Sequence, residues 1–106
     1  MRKAMLIAAA IAVLAAKAPA GAQEKLEVVA SFSILADFVK NVGGDRVQVT
    51  ALVGPNADAH VYAPTPADAK TLAGARVVVV NGLGFEGWIA RLVKASATQA
   101  TVVVAS

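Results

Sequence analysis

Short apolar, β-branched runs alternate along the chain with stretches whose apolar residues recur at helical spacing. Leu26 to Ser31 (LEVVAS) reads as a strand. Ser33 then stands where a helix cap would, and Ile34, Leu35, Phe38, Val39 and Val42 fall on one face at the helical period before Gly43-Gly44 ends the pattern. Arg46 to Val53 (RVQVTALV) alternates and then turns fully apolar, which predicts a second strand. Gly54 to Pro64 is a polar loop with two prolines. Thr65-Pro66-Ala67-Asp68 places a capping hydroxyl, a proline at the first helical position and an acid at the third, so a second helix starts there and ends near Gly74. Val77 to Asn81 is the third strand, Phe85 to Ser96 a helix with Trp88, Ile89, Leu92 and Val93 on one side, and Thr101 to Ala105 a fourth apolar run. Strands that are apolar throughout and alternate with helices indicate the α/β class, with a parallel sheet covered by helices on both faces.

The first residues do not belong to this pattern. Arg2 and Lys3 precede an apolar run from Ala4 to Ala16, and Ala20-Gly21-Ala22 offers small residues at a cleavage site. That layout is a secretory signal peptide, too short in its apolar part for the ~18 residues of a membrane span. Cleavage is expected after Ala22, or alternatively after Ala18, so residues 1–22 form a leader and 23–106 the exported domain. The sequence contains no cysteine, which leaves no thioether-linked lipid and no stable membrane anchor after cleavage. It also leaves stability to the core or to a ligand.

Removing the leader changes the electrostatics. Three of the 10 Lys and Arg residues, Arg2, Lys3 and Lys17, lie in it, and the remaining seven balance the 7 Asp and Glu residues. With no basic cluster and few aromatics, nucleic-acid binding is excluded. The chain ends just past its fourth predicted strand, with no helix to cover it, and the expectation is a fragment of a longer precursor whose stability alone is marginal.

Two features carry candidate chemistry. Gly82, Gly84 and Gly87 follow the valine strand at G-x-G-x-x-G spacing, the pattern of a dinucleotide-binding turn. Against that reading, no acid follows Glu86 to meet a ribose, and Glu86 sits in the turn where its charge would repel a pyrophosphate. The alternative is a strand-to-helix turn that lets the next helix pack closely. The second feature is His60, the sole histidine, on the loop after the second strand, where open α/β sheets place their ligands. Asp58 lies two residues before it, within reach as an acceptor that fixes the imidazole tautomer. A lone loop histidine is more often a surface residue than a ligand, and one imidazole cannot complete a zinc site.

A resemblance narrows these readings. Gly54, Asp58, His60, Tyr62, Pro64-Thr65-Pro66-Ala67-Asp68, Val77 to Val80, Asn81-Gly82-Leu83-Gly84-Phe85-Glu86 and Trp88 follow, in order and spacing, a pattern similar to the N-terminal lobe of the periplasmic proteins that bind metal for zinc and manganese ABC transporters. Ala59 and Ala63 depart from it, where proline and an acid are common. The resemblance implies a partial lobe of a two-lobe α/β protein that captures a divalent transition metal in the periplasm, zinc ahead of manganese, and delivers it to an inner-membrane ABC permease. His60 is then the first of four metal ligands, the others lying beyond Ser106, and the chain is not an enzyme. The competing functions are a secreted nucleotide- or phosphate-using α/β enzyme built on the Gly82/Gly84/Gly87 loop, and a structural or adhesive domain without a ligand.

Overall fold

A computed structural model of the chain describes residues 24–106. The leader predicted over residues 1–22 lies outside the described residues. In chain order the elements are β1 (Leu26–Phe32), α1 (Ser33–Gly43), a 3-10 turn (Gly44–Arg46), β2 (Val47–Val53), a second 3-10 turn (Ala59–Val61), α2 (Pro66–Ala73), β3 (Val77–Val80), α3 (Ile89–Ser96) and β4 (Thr101–Val104). The four strands form one parallel sheet in the order β2-β1-β3-β4.

Val29 and Ala30 show how the strand sequence builds two layers. Val29 faces Leu72, Ala75, Val78, Val80 and Leu92, the side covered by α2 and α3. Ala30 faces Leu35 and Ala36 of α1, with Val49, Ala51 and Val79 around them. Successive side chains point to opposite faces, so a strand apolar throughout must be covered twice. The expected parallel sheet with helices on both faces is therefore present. Its cover is uneven: α1 lies over β1 and β2, while Val102, Val103 and Val104 of the edge strand remain 44%, 44% and 56% exposed. Between α1 and the bare part of that face runs an apolar groove of about 330 Å³, lined by Val28, Phe38, Val39, Val42, Val77 and Val79.

Local signals decide where elements start. Thr65 and Asp68 form the reciprocal capping box read from the sequence: the Thr65 hydroxyl accepts from the Asp68 N–H at 3.3 Å, and the Asp68 carboxylate from the Thr65 N–H at 2.9 Å. Ser33 does not cap α1 as expected. It is the first helical residue, preceded by Phe32 in extended conformation with no side-chain cap bond, because the strand runs directly into the helix. The third helix begins at Ile89 rather than Phe85. Gly82, Leu83 and Gly84 take φ of 84°, 58° and 74°, and this left-handed run must finish before a right-handed helix can start.

The strand order reverses between β1, whose following crossover leads to β2 on one side, and β3 on the other. In open α/β sheets the crevice beyond the carboxyl ends at such a point is the usual ligand position. The turn containing His60 and the 81–88 loop both lie at this end of the sheet.

Candidate metal-binding site

His60 sits in the one-turn 3-10 segment Ala59–Val61, and the turn is built by Asp58. The Asp58 carboxylate accepts from the His60 backbone N–H at 2.9 Å, an Asx-type contact that a side chain makes naturally two residues ahead. Asp58 therefore shapes the backbone that carries His60 and does not serve as the imidazole acceptor expected from the sequence. The His60 side chain is exposed. Its ring lies 6.2 Å from that of Phe85, which in turn stands 5.2 Å from Phe32 at the end of β1. The imidazole thus has an aromatic floor beneath it and solvent above.

The residues flanking His60 are tethered. Ala59 is buried, and its carbonyl accepts from the Trp88 indole Nε1–H at 2.6 Å. The Tyr62 ring meets Trp88 edge-on at 5.1 Å, and its hydroxyl donates to the Asp68 carboxylate at 2.7 Å. One acid, Asp68, thereby caps α2 and holds Tyr62. The hydrogen bond to Asp68, with smaller contributions from burial and the adjacent negative charge, raises the Tyr62 phenol above its ordinary value of 10.0. A raised acid pKa means that the stabilisation is complete below the unfolded value and is lost as pH climbs through the folded one. Because Tyr62 is the sole tyrosine, phenolate absorbance reads it alone. Its midpoint is expected above that of the unfolded chain, and Asp68→Asn should bring the two closer.

Glu86 does something the sequence only half suggested. It is 4% exposed, and its carboxylate accepts from the backbone N–H groups of Asn81 at 2.6 Å and Gly82 at 3.0 Å, and from the hydroxyl of the fully buried Ser31. This ties the loop after β3 to the end of β1 at the point where the strand order reverses. The N–H groups that would cradle a phosphate are occupied by the protein's own carboxylate. The glycines have separate reasons. A Cβ on Gly82 would lie 2.5 Å from the Val104 side chain, and Gly84 needs its positive φ, but Gly87 has open space around it and neither constraint. The G-x-G-x-x-G spacing is therefore a turn with two required glycines, and the nucleotide reading finds no site.

Among the described residues no three His, Cys, Asp or Glu side chains come together to hold a metal ion. The stretch supplies one oriented imidazole, at the open end of the sheet. The Ser31–Glu86 bond spans 55 residues and the Trp88–Ala59 bond 29, and sequence reading missed both because neither has a local signal.

Comparison with known proteins fits this geometry. The family model for the periplasmic component A of zinc-uptake complexes (ZnuA) matches residues 28–106. The manganese-binding lipoprotein MntA of Halalkalibacterium halodurans is 45% identical over 71 residues, covering 67% of this chain and 24% of that protein. The manganese ABC transporter substrate-binding lipoprotein PsaA of Streptococcus pneumoniae is 39% identical over 75 residues, covering 67% and 24%. The Mn-bound periplasmic metal binding protein of Candidatus Liberibacter asiaticus aligns with a TM-score of 0.69 at 32% identity, over 76% of this chain and 30% of that one. The chain spans about a quarter of the length of the curated relatives it matches. All three are named as metal- or substrate-binding proteins, PsaA as that of a manganese ABC transporter, and none is named as an enzyme.

Proposed function

The chain belongs to the family of the periplasmic component A of zinc-uptake complexes, and on that premise we propose that it contributes one lobe of a site that captures a divalent transition metal for an inner-membrane ABC permease. The metal is cargo. His60 is its ligand from this stretch, and the remaining ligands come from elsewhere in the working protein. The observation that carries the reading is the turn itself: Asp58, Trp88 and the Tyr62–Asp68 pair fix the backbone on both sides of His60 while its ring stays exposed at the open end of the sheet. A merely superficial histidine needs no such support.

Zinc is placed ahead of manganese because the one ligand in this stretch is an imidazole, and a carboxylate-rich remainder would favour manganese instead. The relatives MntA and PsaA are named for manganese, so the two metals must be compared directly. Residues 1–22 are proposed as a cleaved leader, giving a domain over 23–106. Since the chain has no cysteine to carry the lipid of relatives named lipoproteins, the exported form is proposed to be free in the periplasm.

The test is isothermal titration of zinc and manganese, singly and in competition, on protein purified from the periplasm with the regions its relatives carry. Micromolar or tighter binding of at least one metal is expected, and binding of neither would refute the function. Mass spectrometry of the same material should show Gln23 as its first residue.

A further inference from the structure

Three hydrogen bonds shape the loop around His60: Ala57 N–H to Gly54, His60 N–H to Asp58 and Val61 N–H to Asp58. All three are internal to the loop, so they set its shape and not its place over the sheet. Placement comes from outside, and Trp88 supplies most of it. Its indole N–H holds the carbonyl of Ala59, the residue before His60, and its ring receives Tyr62, two residues after. The same side chain packs against the buried cluster of Val29, Leu72, Val78 and Leu92. A phenyl ring would keep most of the packing against Tyr62 and the cluster, but it would leave the carbonyl of the buried Ala59 without its donor. We infer that Trp88 is a positioning residue for His60, fixing where the imidazole stands relative to the strand ends and thereby the affinity for metal. The inference rests on the reading of His60 as a ligand.

Trp88 is the single tryptophan of the chain, so this stretch contributes one indole N–H signal in nuclear magnetic resonance. In the protein carrying the regions its relatives have, titrated with zinc alone, the Trp88 signal, assigned there as the one that Trp88→Phe removes, is expected to shift with the same midpoint as binding. Trp88→Phe keeps an aromatic ring and removes the donor. It should weaken zinc binding about five- to tenfold, the effect of one neutral hydrogen bond, with the circular dichroism spectrum retained. His60→Ala should abolish the zinc-dependent shift. If zinc binds equally well to His60→Ala, the ligand reading fails and this inference falls with it. If His60→Ala loses zinc while the indole signal stays still and Trp88→Phe binds like the parent, the ligand reading stands and the positioning role is overturned. Should Trp88→Phe not fold, the parent's indole signal decides by itself, since an unmoved signal at saturating zinc refutes the coupling.

Discussion

His60→Ala is expected to remove most of the metal affinity of the working protein, a loss larger than the ~10–100-fold that follows from disturbing a residue behind a ligand. The argument starts from coordination chemistry. A four-ligand site that loses one imidazole must replace it with water, and the remaining donors keep less hold on the ion. Nothing nearby can stand in: Asp58 is committed to the turn backbone, and Asp68 to Tyr62 and the α2 cap. The exposed side chain loses only its contact with the Phe85 ring, so the variant should melt within about 1 kcal/mol of the parent. Titration of zinc into both proteins, alongside thermal unfolding without metal, separates the two effects. Unchanged affinity would return His60 to the role of an ordinary surface residue.

Glu86→Ala should have the opposite profile, with a large loss of stability. Removing its carboxylate orphans the hydroxyl of the fully buried Ser31 and two backbone N–H groups, of Asn81 and Gly82, that are half-buried. An unsatisfied buried donor costs about 1–3 kcal/mol, and the two half-buried amides add a smaller amount each, so the loss reaches about 2 kcal/mol or more. Small domains have only about 5–15 kcal/mol in hand. Denaturant unfolding of the metal-free protein should show a midpoint far below the parent's, or no folded baseline at all. Glu86→Gln retains one oxygen acceptor and should fall between the two. A parent-like midpoint in Glu86→Ala would mean that water or a shifted loop satisfies the donors.

How much of this was legible beforehand follows from the range of each interaction. The strands were readable because a strand buried on both faces must be apolar at every position, as Val28 to Ala30 and Val77 to Val80 are. The α2 start was readable because Thr65, Pro66 and Asp68 act on one another within a single turn. The α3 start was misplaced because periodicity marks Trp88, Ile89 and Leu92 as one face but carries no trace of the left-handed run before them. Asp58 was assigned the wrong atom of the right neighbour: proximity in sequence placed it beside His60, but its geometry favoured the backbone N–H over the ring. The Glu86 and Trp88 contacts were invisible for a different reason. They join segments brought together only when β1 and β3 pair, and a single sequence holds no record of that pairing.

The meeting of Gly82 with Val104 bears on how this loop can drift over generations. Two separate obstructions stand at position 82: a φ of 84° that disfavours any Cβ, and a Val104 methyl 2.5 Å from where that Cβ would be. Trimming Val104 relieves the second obstruction, with the Ser106 hydroxyl still 3.1 Å away, and leaves the first, while re-routing the turn would remove the first only by breaking the N–H contact that Gly82 makes with Glu86. A lineage that once replaced this glycine would thus have no single compensating step open to it, and reversion would be its shortest way back.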